Sequence, residues 1–147
     1  MWLISAPILA AQSFGYPVIL TPMDLLGALI WGFGLLFESI ADLQLTLFKR
    51  NAEDKDKLLT SGLWKFSRHP NYFGEAIVWW GIFIIALAVG AWWTILPPVL
   101  MTWLLIRVSG VPMLERTMQH KPGYEEYMRR TSAFFPWFPK DRDADSR

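Results

Sequence analysis

The sequence predicts an all-α fold, a polytopic bundle of transmembrane helices that carries amphipathic helices at its charged C-terminal end. Three observations predict it. Hydrophobic residues make up 53% of the 147 and aromatics 16%, with nine tryptophans, which is too apolar for an ordinary soluble domain of this size. Apolar stretches of roughly 20 residues, the length that crosses a bilayer, recur along the chain. All 14 Lys and Arg residues lie at or after Lys49, so charge is segregated instead of scattered.

One domain, residues 1–147, is the expected organisation. Residues 1–20 form an apolar N-terminal segment with Pro7 and Pro17 but no basic start, the pattern of a partial membrane segment and not of a cleavable signal peptide. Residues 23–47 are predicted as the first long helix, Leu-rich and Gly-containing, with Asp24 at its entrance and Glu38 and Asp42 inside it. The charged KRNAEDKDK that follows has no apolar period and reads as a solvated loop. Residues 71–91 are predicted as the second span and 93–108 as the third, the latter broken or kinked near Pro97-Pro98. Residues 111–139 mix Met, Leu and Tyr with both charges and end in SAFFPWFPK, which predicts short amphipathic helices interrupted at Pro122-Gly123 and an interfacial aromatic close. The Lys and Arg bias places the 49–69 loop and the C-terminus in the cytosol.

Composition also excludes. With no Cys there is no disulfide, thiolate nucleophile or Cys-based metal cluster, and two His residues are too few for a His-rich centre, so no metal is expected. A net charge of +1 says nothing for an acidic partner, and no nucleic-acid partner is expected. No Gly-rich phosphate loop follows a strand, so a nucleotide would have to be held between helices.

Glu38 and Asp42 stand four residues apart and share one helix face. An ionisable group inside a span is either functional or shallow enough to reach headgroup water or an Arg such as Arg107. The densest signal is GLWKFSRHPNYFGE, from Gly62 to Glu75. Pro70 moves His69 out of helical geometry and Asn71 is the expected N-cap, leaving an anion-attracting helix start flanked by Arg68 and His69. Glu75 is placed to accept hydrogen bonds from a ribose or amide, or only to complement the helix dipole. Trp79 follows one turn later on the same face. Beyond Arg107 the tail offers Glu115, Tyr124, Glu126, Tyr127, Arg129 and Arg130, which alone make an ordinary amphipathic surface.

GLWKFSRHPNYFGEAIVWWG, the preceding GLLFESIADLQLTLFK and the following LLIRVSGVPMLERTMQHKPGYEEYMRRTSAFFPWFP together resemble the bacterial branch of the steroid 5-alpha-reductase C-terminal domain, a DUF1295-type domain of unknown function. The resemblance covers nearly the whole chain. It implies a protein of the bacterial inner membrane that grips NADPH from the cytosolic side and reduces the enone double bond of a steroid-like or other lipid substrate. On that reading Glu38 and Asp42 fall where the family contacts its cofactor. Asn71, Gly74 and Glu75 match the reductases' helix start, Trp79 and Arg107 have counterparts, and Arg130 or its neighbour Arg129 matches a basic residue near the adenosine end. Glu115 and Tyr127 belong to the same cofactor-binding set.

Arg68 and His69 depart from animal reductases, which lack RHP there. RHP followed by Asn71-Tyr72 is instead similar to the isoprenylcysteine carboxyl methyltransferases, relatives that bind S-adenosylmethionine. A methyltransferase is therefore the alternative function, and a non-catalytic membrane scaffold the third. The reductases also carry further N-terminal helices, which bear the groups that polarise the substrate ketone. The resemblance thus leads us to expect a fragment or a partner chain that supplies them, and no catalytic residue is assigned.

Overall fold

The computed structural model describes residues 6–9, 20–50 and 57–140. Most of the apolar segment 1–20 and of the charged loop after Arg50 lies outside the described residues. Helix α1 runs Pro22–Arg50, longer than its apolar pattern at both ends. Thr21 starts it: the Thr21 N–H and hydroxyl both donate to Asp24 Oδ2, at 2.8 and 2.7 Å, while the Asp24 N–H donates to Thr21 Oγ1 at 3.2 Å. That reciprocal cap satisfies donors that would otherwise be orphaned, and Lys49 and Arg50 complement the dipole at the far end.

Helix α2 spans Pro70–Ala88. Its cap residue is His69 and not Asn71, a correction to the expected start. Proline suits the first helical position because its φ is already helical and its missing N–H has no partner to lose, so the helix begins one residue before Asn71 and leaves that amide free for other work. The helix ends three residues before the predicted Ala91, because Gly90 turns into the left-handed region at φ 79°.

The third span is composite. A 3₁₀ turn at Trp92–Ile95 leads into α3, Leu96–Trp103, and a π-helical turn at Leu104–Val108 follows. Pro97 and Pro98 do not break this span. They sit in the first turn of α3, where proline is tolerated. Helices α4, Val111–Met118, and α5, Tyr124–Arg130, complete the fold, separated at Gly123 with φ 79°, as the Pro122-Gly123 pair predicted. Pro22–Arg50, Pro70–Ala88 and Trp92–Met118 are all long and apolar enough to cross a membrane. Among the described residues there is no strand, only an isolated bridge between Ser67 and Ser132.

The first two spans meet along a seam of small residues. Gly27, Gly34 and Ala41 recur every seven residues on α1 and are buried; Gly74 and Gly81 repeat the spacing on α2. A Cβ at Gly34 would stand 2.7 Å from the Val78 nitrogen, and one at Gly81 only 2.5 Å from the Trp31 nitrogen. Backbone therefore packs on backbone, which is how apolar helices gain dispersion energy where lipid removes the hydrophobic driving force. The same register sets Gly74 against Glu38, with a Cβ there 2.6 Å from the Glu38 nitrogen.

Gly81→Ala must push the two helices apart and is expected to destabilise the protein by about 1–3 kcal/mol. Gly32→Ala, at a position with nothing within 4 Å, is expected to be neutral or slightly stabilising. Parallel thermal melts of the two variants in detergent check the contrast.

Candidate functional site

Two neighbouring clusters form where the end of α1 meets the start of α2. The first is acidic. Asp42 accepts a 3.0 Å hydrogen bond from the Asn71 amide nitrogen across the seam. Glu38 packs on Gly74, and the carboxylates of Glu38, Asp42 and Glu75 lie close enough for their charges to act on one another. Tyr72 feels Glu75 and Asp42 as well. No Lys or Arg pairs with any of these three acids among the described residues. Asn71 Oδ1 is buried and has no hydrogen-bond partner, so an acceptor stands uncommitted inside an acidic cluster.

The second cluster is built on Arg68. Its Nε donates to Glu115 Oε1 at 2.8 Å, Nη2 meets the same oxygen at 2.6 Å, and Nη1 donates to the carbonyls of Met128 and Thr131 at 2.9 and 2.8 Å. Guanidinium geometry suits this task, because its planar fork can hold a carboxylate and two carbonyls at once. Around it the C-terminal segment is stitched to residues 64–68. Arg68 N–H donates to the Ser132 carbonyl at 2.8 Å, Ser67 Oγ to the Phe134 carbonyl at 2.9 Å, and Trp137 N–H to the Phe66 carbonyl at 2.9 Å. The Tyr127 hydroxyl donates to the Trp64 carbonyl at 2.5 Å.

His69 is the hinge between the clusters. Its ring stacks on Tyr72 with centroids 5.5 Å apart and an interplanar angle of 4°. Its Nε2 is buried without a hydrogen-bond partner, 3.5 Å from Glu115 Oε1. Burial holds the imidazole below its ordinary pKa and outweighs the nearby carboxylate, so the ring is uncharged at neutral pH. Tyr124 is pushed up to about 12 and Tyr127 is also raised, in both cases chiefly by burial, so both keep their protons. A cavity of about 330 Å³ opens beside these groups, between the end of α1 and helix α4. Leu45, Phe48, Leu58, Leu59 and Met118 give it an apolar lining and Lys49, Lys57 and Lys121 add cationic groups, with the His69 ring in its wall.

The predicted residues thus separate into groups. Glu38, Asp42, Asn71, Tyr72, Gly74 and Glu75 come together at the seam; Arg68, His69, Glu115 and Tyr127 come together at the clasp. Arg68 does not present a free cation to the helix start, because Glu115 and two carbonyls use it. Arg107 stands exposed in the π-helical turn and has no partner among the described residues, so it does not join Glu38 and Glu75. Trp79 is half-buried, with no polar contact among the described residues. Arg130 donates to the Lys140 carbonyl at 3.3 Å and lines a separate cavity of about 240 Å³ with Lys65 and Glu126. Arg129 pairs with Glu126 on the surface.

Sequence reasoning missed Trp64 and Gln44. The Trp64 indole donates to the Ala41 carbonyl at 3.1 Å, and Gln44 Oε1 accepts from the Leu63 N–H at 3.0 Å, so both lock the 62–65 turn to α1. The signal is the Trp in GLWKF, an indole donor placed in the short turn that it locks.

This is a polytopic transmembrane helix bundle with a polar site at one end of its first two spans. The chain belongs to the family described as a protein of unknown function (DUF1295), which it matches over residues 1–131. It is also similar to a probable O-methyltransferase, ustE, of Ustilaginoidea virens, at 32% identity over 72 residues. That stretch is 49% of this chain but 25% of the relative, so the chain spans only a part of it. No solved structure matches.

Two outcomes are expected from the clasp. Arg68→Ala leaves Glu115 and two carbonyls without a donor and should cost about 3–5 kcal/mol, with the C-terminal segment becoming susceptible to limited proteolysis; Arg68→Lys should recover only part. Because folding lowers the His69 pKa, the unfolded chain binds the extra proton first, so stability is full above about pH 6.5 and falls below it. Melting temperatures between about pH 7.5 and 5.5 should therefore decline, and the decline should flatten in His69→Gln.

Proposed function

We propose that the chain is the cofactor-binding part of a membrane methyltransferase that uses S-adenosylmethionine. The observation that carries this reading is the electrostatics of the seam: Glu38, Asp42 and Glu75 with no cationic partner among the described residues, and the orphaned Asn71 Oδ1 between them. A partly exposed acidic cluster beside a buried, unsatisfied acceptor suits a ligand that brings positive charge and N–H donors. S-adenosylmethionine carries both, in its sulfonium and ammonium groups. Asn71 and Asp42 would hold the ammonium, Glu75 and Glu38 a ribose or the sulfonium charge. When bound, the cofactor supplies an electrophilic methyl group. The similarity to a probable O-methyltransferase of Ustilaginoidea virens supports the same reaction class.

The reductase reading has one observation in its favour. The apolar cavity includes Lys49, Lys57 and Lys121, a charge that suits the phosphates of NADPH. Against it stand the arginines: Arg68 is engaged by Glu115, Arg107 is exposed, and Arg130 lines another cavity. A triply phosphorylated dinucleotide would meet carboxylates at the seam, a repulsive arrangement. Either cofactor leaves a lipid-dissolved, steroid-like or other apolar molecule as the substrate, with further helices from a partner chain or a longer polypeptide completing the site.

With S-adenosylmethionine near 100 times its Kd, a rise of roughly 5–10 °C in melting temperature is expected in detergent, and Asp42→Asn and Glu75→Gln should remove it. A response to NADPH alone would establish the reductase instead, and silence with both cofactors the scaffold. Orientation is open to a separate check, because the sequence has no Cys to interfere. In bacterial cells Trp92→Cys should react with an impermeant thiol reagent from outside, and Thr60→Cys only after the inner membrane is opened.

A further inference from the structure

The apolar cavity beside the clasp is assembled from three separate elements, and each brings the same two properties. From α1 come Leu45 and Phe48 together with Lys49, spaced i, i+3 and i+4 on one helix face. From the segment after the charged loop come Leu58 and Leu59 with Lys57, and from α4 and the turn after it Leu114 and Met118 with Lys121. Lys49 and Lys57 are exposed while most of the apolar side chains are half-buried, so the cavity has a wet cationic edge and a drier aliphatic interior. Lys121 Nζ donates to the Lys57 carbonyl at 3.3 Å, which holds two of the three lysine-bearing segments together. No Asp or Glu lines the cavity among the described residues. A basic residue that only fixes membrane orientation needs no such company: Arg50 and Arg116 stand at the same end of the molecule without lining this space. At about 330 Å³ it falls within the range of small-molecule sites, about 300–1,000 Å³.

We propose that this cavity binds a single-chain lipid phosphate, with its alkyl chain between the end of α1 and α4 and its phosphate on Lys49, Lys57 and Lys121. The site goes beyond the methyltransferase reading and does not depend on it. Residue order along α1 matches such a ligand, because apolar Leu45 and Phe48 precede Lys49 as a lipid chain lies deeper than its headgroup. Three point charges from three directions suit a phosphate, whose oxygens accept on several sides. A carboxylate is better matched by a forked guanidinium, and the guanidinium in this wall, that of Arg68, is taken by Glu115 and two carbonyls. A dinucleotide would find the same lysines but would press its riboses and amide against aliphatic walls that offer no hydrogen bond. A purely apolar guest would gain nothing from the lysines.

The test reads where a ligand sits and needs no turnover. Dodecyl phosphate, dodecanoate and dodecanol, each with a diazirine in its chain, are added separately to the full chain in phosphatidylcholine nanodiscs and irradiated, and labelled peptides are mapped by mass spectrometry. Labelling of residues 57–65 and 114–121 is divided by labelling of the stretch 25–36 of α1, whose leucines face outward, which removes differences in how each probe enters the disc. On the native chain dodecyl phosphate is expected to give a ratio at least about tenfold above dodecanol, the discrimination that a hydrogen bond to a charged group supplies. It should also exceed dodecanoate. Lys49→Gln combined with Lys57→Gln, both at exposed side chains, should bring the phosphate down to the alcohol's ratio, whereas Arg50→Gln should leave it unchanged. Equal ratios for phosphate and alcohol would mean an apolar pocket alone, and an equal loss in Arg50→Gln a general attraction to the charged surface. Either result overturns the proposal, as does a higher ratio for dodecanoate or displacement of the probe by NADPH or by inorganic phosphate. The melting response to S-adenosylmethionine is measured separately, so the lipid site and the methyltransferase can each fail without the other.

Discussion

Everything at the charged end of this molecule depends on one guanidinium. Arg68 sits between two spans and the C-terminal segment, and its donors hold Glu115 of α4 and the carbonyls of Met128 and Thr131 at once. Without it, the ion pair to α4 and the two carbonyl bonds to the C-terminal segment would go, and the hydrogen bonds of Ser67, Tyr127 and the backbone would carry the anchorage alone. The cavity wall, the seat of His69 and the hydrogen bond from Tyr127 to Trp64 all follow from that anchorage. Desolvating so many polar groups is costly, and the arrangement persists because each nitrogen of the guanidinium has an acceptor.

The two clusters differ in sign, and a single element separates them. On the seam side, three acids face one another across backbones drawn together by glycine. On the clasp side, Glu115 neutralises Arg68 and the space beyond is apolar. His69 and Tyr72, stacked at the first turn of α2, form the partition between these environments.

Much of this was legible in the amino-acid order. Length and hydrophobicity fixed three spans, and Pro122-Gly123 marked the break between α4 and α5. Element ends were less legible because they depend on local backbone choices. Pro70 took the first helical position that Asn71 was expected to cap, and Gly90 stopped α2 early. Pairing was the least legible. Arg68 and Glu115 are 47 residues apart, and nothing in either local pattern joins them. Arg107 has the composition of a site residue, yet the π-helical turn leaves it outside. Glu38 and Asp42 were readable as a pair because an acid inside an apolar span has few inexpensive explanations, whereas Glu75 was legible only as part of the helix start.

Helix α1 has one more consequence. At 29 residues it is about 44 Å long, against about 28 Å for the 19 residues of α2 and about 30 Å of hydrocarbon. Held upright, it would extend beyond the acyl chains by about 14 Å, more than two turns, and the turns from Asp42 onward are the ones followed by cations. The apolar cavity beside the clasp is framed by this overhang. Its height above the lipid tails is thus set by bilayer thickness, so a thinner or thicker membrane would change how readily a molecule dissolved among the tails can climb into it.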